Sequence, residues 1–233
     1  MFFHTLQAKK MFGMVRIQNK RLSIFKNGWP NMICVFNYAF TALIDVDGVD
    51  VNSVSSVPMI YKNVKVSAYP YGTSDSWNRE HLWPKSRGVY DSGPDFTDLH
   101  HLRPADWNVN SARSAKLFAA CGVANDISEC SSPAHIEAPE TEADRTTFLP
   151  PPNVRGDIAR ALMYMSTRYD GSEKHTNDLK LADCDLEENI GYMGYRSQLL
   201  EWHEADPVDE NEVKRNNRIC ERWQGTLTDF IIL

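Results

Sequence analysis

The 233-residue chain lacks several patterns that define common protein classes. It has no run of about eighteen consecutive apolar residues, which argues against a membrane-spanning helix. It has no CxxC pair and no HExxH motif, which argues against a zinc ribbon, a thioredoxin-like motif and a zincin-type hydrolase. Internal repeats and low-complexity tracts are also absent. The remaining composition, 42% hydrophobic and 24% charged, is typical of a globular domain.

The net charge is positive only in the first part of the chain. The first 44 residues contain six Lys or Arg and no Asp or Glu, whereas residues 126–233 contain 11 basic and 22 acidic residues. The net charge of −6 argues against a nucleic-acid-binding protein, because binding to phosphates needs Lys and Arg. We interpret residues 1–40 as an unassigned basic segment, either targeting or disordered, and residues 41–233 as one domain.

Five cysteines are present, and their spacing leaves their pairing open. Cys121 and Cys130 flank a short loop-like stretch and could form a small disulfide, while Cys184 and Cys220 could form another and leave Cys34 over. Five free thiols fit the spacing equally well. If the protein is exported, we expect the Cys121–Cys130 bridge.

The pattern along the chain predicts an α+β domain. Alternating residues in 58–69 indicate a strand or hairpin arm, and residues 78–83 and 97–103 indicate two short strands that pair antiparallel, each stopped by a proline. Asp106 is a plausible N-cap of the helix that follows. Helices are predicted at 105–121, 150–169, 195–207 and 209–225, with a long acidic surface excursion at 122–150.

The stretch NREHLWPKSRG, residues 78–88, places a carboxylate directly before an imidazole. Glu80 and the side-chain carbonyl of Asn110 are hard oxygen donors of the kind that hydrated Mg²⁺ prefers. A neutral imidazole at His81 could activate the attacking water. Asn110 and Arg113 are three residues apart and lie on one helical face, so that Arg113 could contact a phosphate.

Each of these residues also has an ordinary structural interpretation. His100 and His101 are better read as hydrogen-bonded structural residues than as ligands, Asn108 and Asn110 fit turn or capping roles, and Arg113 fits a surface charge. Short motifs of this kind often arise by chance, so a function can be inferred only from their combination.

Three motifs occur in order: NREHLWPKS, DLHHLRP and VNSARS. Together they resemble the bacterial endonuclease I family of periplasmic or secreted nucleases, which have a ββα-metal (His-Me finger) core. The resemblance covers about residues 41–225 and implies that His81 is the general base and that Glu80 and Asn110 are metal ligands. It departs from the family pattern at Ala115 and in the C-terminal GTLTDFIIL.

We therefore predict a monomeric, Mg²⁺-dependent endonuclease that hydrolyses DNA without sequence specificity, with RNA left open as a second substrate. The resemblance further implies export and 5′-phosphate products. Other divalent metals could replace Mg²⁺. The substrate contacts are predicted to be Arg79, Lys85, Arg87 and Arg113, which suit phosphates. The alternatives are a zinc hydrolase, which the spacing supports poorly, and a degenerate homologue that binds nucleic acid without cutting it.

Overall fold

The computed structural model describes residues 32–49, 56–123, 129–183 and 190–231. It has the α+β fold that the sequence predicts. The helices are α1 (Met32–Asp47), α2 (Trp107–Arg113), α3 (Arg155–Arg168), α4 (Arg196–Ala205) and α5 (Glu210–Arg218). The strands are β1 (Ser56–Pro58), β2 (Lys65–Ser67), β3 (Trp77–His81), β4 (Leu102–Asp106), β5 (Leu117–Phe118), β6 (Glu142–Ala143), β7 (Thr147–Leu149), β8 (Lys180–Ala182) and β9 (Tyr192–Gly194). Short 3₁₀ helices cover Lys85–Arg87, Pro94–Thr97, Pro152–Val154 and Asp229–Ile231, and a π-helix, Ile219–Gln224, extends α5.

The strands form four small sheets in the described part of the chain. Strands β1 and β2 form an antiparallel hairpin whose turn falls inside residues 58–69, which the sequence predicts as one strand or hairpin arm. Strands β3 and β4 form a second antiparallel pair. The third sheet has the order β5-β7-β6, and β8 pairs with β9 in parallel. The prediction that residues 122–150 are a surface excursion is therefore partly wrong, because β6 and β7 lie in a sheet and Phe148 is fully buried.

Strands β3 and β4 and helix α2 form a ββα unit. Trp77 pairs with Asp106 and His81 pairs with Leu102 at the two ends of the strand pair. Helix α2 follows β4 directly, and the Asp106 carboxylate accepts hydrogen bonds from the backbone N–H groups of Asn108 and Val109. The antiparallel pairing and the Asp106 cap are thus both confirmed, but β4 begins only at Leu102, so residues 97–101 of the predicted strand at 97–103 lie before it.

Pro104 does not end its strand, contrary to the prediction. Its carbonyl accepts a 2.9 Å hydrogen bond from the backbone N–H of Ile60, so it points away from β3. In an antiparallel pair, the N and the carbonyl of one residue point to the same side. The missing N–H of Pro104 therefore removes no hydrogen bond between β3 and β4, and the strand continues to Asp106.

Helix α2 is also much shorter than the predicted helix at 105–121. It ends at Arg113, because Ser114 adopts a positive φ of 54°, and the chain then enters β5. Leu117 and Phe118 are buried in that strand. Tertiary packing of these apolar side chains thus overrides the helical preference of the alanine-rich sequence.

The core has two clusters. The larger surrounds α3, whose apolar stripe of Ile158, Leu162, Met163 and Met165 is fully buried, as predicted. The smaller packs α1 against the strands around Phe40, Leu43, Trp77 and Leu102. Helix α1 thus spans residue 41, the predicted start of the domain. Residues 1–31, the greater part of the predicted basic segment, lie outside the described residues.

The C-terminal helices agree with the sequence pattern. Asp209 begins α5 with a capping box, and the π-helix after α5 ends at Gly225, whose φ of 70° suits glycine. Arg215 of α5 pairs with Asp47 at the end of α1 through a 2.7 Å contact. Within the described ranges, none of the helices has the length and hydropathy needed to span a membrane.

One disulfide joins Cys121 and Cys130, with 5.8 Å between their Cα atoms. This confirms the bridge that the sequence analysis expects for an exported protein. Cys220 carries a free thiol, and Cys184, its candidate partner, lies outside the described residues. The bridge connects the chain after β5 to the chain before β6, and so closes a loop between two cysteines that are nine positions apart.

Candidate active site

A cleft of about 330 Å³ lies beside the ββα unit. Six of the seven predicted site residues line it, and Arg87 is the exception. The lining residues are Arg79, Glu80, His81, Pro84, Lys85, Ser86, Asn110, Arg113, Ser114 and Ala115. The structure therefore brings the NREHLWPKS and VNSARS motifs together, although some thirty residues separate them in the sequence.

Glu80 and His81 are neighbours on β3, and a regular strand would direct their side chains to opposite faces. Strand β3 ends at His81, however, and the chain then turns towards Pro84. This ending allows both side chains to reach the same cleft, as the sequence analysis requires.

The Glu80 carboxylate is buried and is held by several donors. Glu80 is only 2% exposed, and its Oε1 accepts a 2.5 Å hydrogen bond from the Tyr61 hydroxyl and lies 3.2 Å from Arg113 Nη1. Burial raises the pKa of Glu80, while the Arg113 charge and hydrogen bonds from Tyr61, the His81 backbone and Asn110 oppose the rise. Tyr61 and Arg113 both contact Oε1, and together they fix the orientation of the carboxylate in the cleft.

Asn110 projects from α2 towards β3. Its amide nitrogen Nδ2 donates a 2.8 Å hydrogen bond to Asn78 Oδ1. This bond fixes the orientation of the amide, so that the acceptor atom Oδ1 is on the other branch of the side chain. Asn78 and Glu80 are two residues apart on β3 and therefore share a strand face. Glu80 and Asn110 both line the same cleft.

The His81 ring is oriented by the turn at Pro94–Thr97. Its Nε2 lies 2.9 Å from the Phe96 carbonyl, and its ring stacks on the Phe96 ring with 4.9 Å between centroids. Because a carbonyl oxygen can only accept, Nε2 carries the hydrogen and Nδ1 has the lone pair. Burial, reinforced by the charges of His101, Arg79 and Lys85, lowers the pKa of His81 well below 6.5, so the ring is neutral at pH 7.

Arg113 is 1% exposed and makes most of its contacts inside the protein. Besides the Glu80 contact, its guanidinium donates to the carbonyls of His81 at 3.3 Å, Leu82 at 2.9 Å and Ser114 at 3.2 Å. It also lies 4.3 Å from the Phe118 ring centroid. Arg113 thus connects the end of β3 to the end of α2, and its predicted contact with a phosphate stays a prediction.

Of the other three predicted basic residues, Arg79 and Lys85 line the cleft and Arg87 does not. The Arg79 guanidinium lies 5.2 Å from the Phe40 ring and 5.7 Å from the Phe96 ring, and burial lowers its pKa to about 10. Lys85 is exposed, with Nζ 5.0 Å from the Phe96 ring. Arg87 follows in the same short helix, and its Nε donates a 2.8 Å hydrogen bond to the Ala115 carbonyl.

Sequence reasoning missed three residues that orient the site: Tyr61, Asn78 and Phe96. Tyr61 and Phe96 reach their partners across 19 and 15 residues of chain, and no local pattern marks them. Only the position of Asn78, two residues before Glu80, offered a signal, because alternate strand residues share a face. The structural interpretation of His100 and His101 is confirmed: both are buried, and each ring bonds to a backbone carbonyl.

One three-residue cluster of potential metal ligands occurs among the described residues, namely Cys121, Cys130 and Glu142. Both sulfurs of this cluster belong to the disulfide, so neither is a thiolate that could bind zinc. The cluster therefore adds no support to the zinc-hydrolase alternative.

The ββα unit, with its buried carboxylate, amide and neutral imidazole in one cleft, defines a class of α+β protein with a candidate metal-assisted hydrolytic site. The chain belongs to the endonuclease I family, whose description is Endonuclease I and whose profile matches residues 7–231. This match confirms the resemblance that the three motifs indicate.

Two curated relatives are similar over most of the chain. An extracellular ribonuclease of Bacillus subtilis (strain 168) is 38% identical over 199 residues, which is 84% of this chain and 65% of the relative. An extracellular ribonuclease of Bacillus amyloliquefaciens is 36% identical over 198 residues, which is 84% of this chain and 64% of the relative. The chain thus spans about 65% of the length of these relatives.

Proposed function

We propose that the protein is a metal-dependent nuclease that hydrolyses phosphodiester bonds in RNA and DNA without sequence specificity, leaving 5′-phosphate ends. The observation that carries this proposal is that His81, whose Nε2 is held by the Phe96 carbonyl so that Nδ1 is left as the acceptor, lines the same cleft as Glu80 and Asn110. The family match supports a nuclease, and the two relatives named as ribonucleases make RNA the first substrate to test.

His81 is the general base in this proposal. Its neutral ring accepts a proton at Nδ1 from the attacking water, whose oxygen bonds to phosphorus as the bond to the 3′ oxygen breaks. The Phe96 carbonyl stabilises the imidazolium that forms, because it accepts the Nε2 hydrogen throughout. The stacked Phe96 ring holds the imidazole plane in place.

Glu80 and Asn110 fit a hydrated divalent cation. The Glu80 carboxylate and Asn110 Oδ1 supply hard oxygen donors, and two protein ligands suit Mg²⁺, which retains several waters. When bound, Mg²⁺ supplies Lewis-acid stabilisation of the phosphate and of the departing 3′ oxygen. Tyr61 and Arg113 keep the carboxylate in one orientation, and Glu80 must be ionised to bind the cation.

The basic side of the cleft binds the substrate backbone. Arg79 and Lys85 are placed to contact phosphates, and Arg87 extends the same positive segment. Contacts with phosphates position a nucleic acid but do not read its bases, so cleavage at many sequences and inhibition by salt are expected.

We further propose that the protein is exported, because the relatives are named extracellular and the Cys121–Cys130 bridge suits an oxidising compartment. We also propose that it is a monomer.

Two substitutions test the roles assigned to the adjacent residues. In His81→Ala, the rate should fall by about 10² to 10⁴, the usual contribution of a positioned base, while Mg²⁺ affinity stays unchanged. In Glu80→Ala, Mg²⁺ affinity and rate should fall together. Cleavage of single-stranded RNA and nicking of a plasmid, each with and without EDTA, measure the rate, and calorimetric titration measures Mg²⁺ binding.

His135→Ala is the matched control, because His135 is partly exposed and lies outside the lining of the cleft. It should leave both rate and Mg²⁺ affinity unchanged. Near-wild-type cleavage by folded His81→Ala protein would remove the general base from the proposal. Binding of nucleic acid without any Mg²⁺-dependent cleavage would instead identify the chain as a non-catalytic homologue.

A further inference from the structure

Phe96 is the centre of a group of charged and aromatic contacts at the edge of the cleft. The His81 ring stacks on it at 4.9 Å, and the Arg79 guanidinium and Lys85 Nζ lie 5.7 Å and 5.0 Å from its centroid. Phe96 therefore connects the proposed general base to two cations that the proposed function assigns to the substrate backbone.

The series of contacts continues from Arg79 to the protein surface. The Arg79 guanidinium lies 5.2 Å from the Phe40 ring, and Phe40 stacks on Tyr71 with 4.1 Å between centroids and 14° between ring planes. Tyr71 contacts Tyr69 at 5.7 Å. Phe40 is 1% exposed and Tyr69 is 60% exposed, so the series begins in the smaller core and ends in solvent.

We propose that Tyr69, supported by Tyr71 and Phe40, is a stacking subsite for an unpaired base of a single-stranded RNA whose phosphates lie at Arg79 and Lys85. This inference rests on the proposed function and adds a substrate form to it. Alternating aromatic and cationic groups are how proteins bind single strands, since each base has a face that can stack on a ring, and phosphates need positive charge.

The position of Tyr69 supports a binding role better than a packing role. More than half of its surface is in solvent, so it contributes little to the core. Its backbone is nonetheless fixed, because Ser67 Oγ donates to the Tyr69 carbonyl at 2.6 Å and accepts from its N–H at 3.3 Å. Such an exposed but preorganised ring loses little conformational entropy when a base stacks on it.

The subsite should favour single strands over duplexes. In a duplex, each base is already stacked between its neighbours, so its face is not available to Tyr69 unless the duplex opens. Only two rings, Tyr71 and Phe40, separate Tyr69 from Arg79, and each of the three pairwise distances in this series is shorter than 6 Å. A base near Tyr69 can therefore belong to the same short strand that places a phosphate at Arg79.

Binding can be measured separately from cleavage. All variants carry His81→Ala and are assayed in EDTA, with a fluorescently labelled single-stranded oligoribonucleotide and the same sequence as a duplex. Fluorescence anisotropy gives Kd for each. Tyr69→Ala should weaken single-strand binding by roughly 5- to 150-fold, the usual effect of losing one stacked base, and should leave duplex binding within about twofold. Tyr69→Phe should retain single-strand binding, because the ring remains.

Tyr38→Ala is the matched control. Tyr38 is 47% exposed, packs on Trp223, and lies two residues from Phe40, on the opposite side of α1. It should leave both affinities unchanged. Unchanged single-strand affinity in Tyr69→Ala, or an equal loss for the duplex, overturns the stacking subsite. Failure of the wild-type protein to cleave any nucleic acid with Mg²⁺, while Tyr69→Ala still loses single-strand affinity, overturns the proposed function alone.

Discussion

Replacement of Arg113 by methionine tests whether this residue holds the site together or binds the substrate. Met keeps much of the apolar volume but removes the charge 3.2 Å from Glu80 Oε1 and the donors to three backbone carbonyls. Glu80 is then left buried without its cation. Breaking a buried ion pair by removing one partner costs about 3–5 kcal/mol. For a domain of this size, that corresponds to a fall in Tm of roughly 6–20 °C.

The matched comparison is Lys85→Met, which removes one positive charge from the same cleft. Lys85 is exposed, so its substitution should change the free energy of unfolding by no more than about 0.5 kcal/mol. It should instead weaken oligonucleotide binding and lower the salt slope of log Kd by about one phosphate contact. Thermal melting and anisotropy titrations in EDTA, at several salt concentrations, measure both properties for both variants.

The two variants should therefore lose different properties: Arg113→Met loses stability, and Lys85→Met loses oligonucleotide affinity. Arg113→Met should lose stability while its oligonucleotide affinity and salt slope in EDTA stay near those of the wild type. If Arg113→Met instead keeps its Tm and loses affinity and salt slope as Lys85→Met does, the residue contacts phosphate as the sequence predicts. The positioning argument built on its contacts with Glu80 and the carbonyls would then be wrong.

Two further predictions concern stability. Burial lowers the pKa of His101 to about 4, below its value of about 6.5 in the unfolded chain. Between pH 6.5 and pH 4 the unfolded chain therefore binds more protons than the folded protein. The free energy of unfolding should fall as the pH is lowered through this range. In His101→Gln this loss should be smaller by about 3 kcal/mol, measured by urea unfolding across that range, and an unchanged pH dependence would contradict it. Replacing Cys121 and Cys130 by serine should lower the free energy of unfolding by about 2–3 kcal/mol, from the entropy of a nine-residue loop. Wild-type protein in reductant should match that variant, whereas equal stability of oxidised and reduced protein would refute the effect.

Local sequence patterns were sufficient for the elements that carry the site. Asp106 caps α2 because its carboxylate follows a strand and precedes the first helical N–H groups. The spacing of three between Asn110 and Arg113 places both on one helical face, and both reach the cleft. Such features depend only on neighbours a few residues away, so they can be predicted from the order of residues alone.

Element ends were less predictable, because packing with distant residues decides them. Helix α2 ends at Arg113, although the alanine-rich sequence beyond it favours continuation, since Leu117 and Phe118 gain more by burial in β5. Strand β4 continues through Pro104 because the proline N faces away from β3, a fact that depends on the pairing register.

The chemical state of the site was decided by the tertiary structure. The sequence identifies Glu80 and His81 as an acid and a base, but their pKa values depend on burial, on the Tyr61 hydroxyl and on the Phe96 carbonyl. These partners are 19 and 15 residues away, and no periodicity connects them. Residue types therefore determine which chemistry is available, while desolvation and hydrogen bonding, which only folding creates, determine the pKa of each group and which nitrogen of His81 is left to accept a proton.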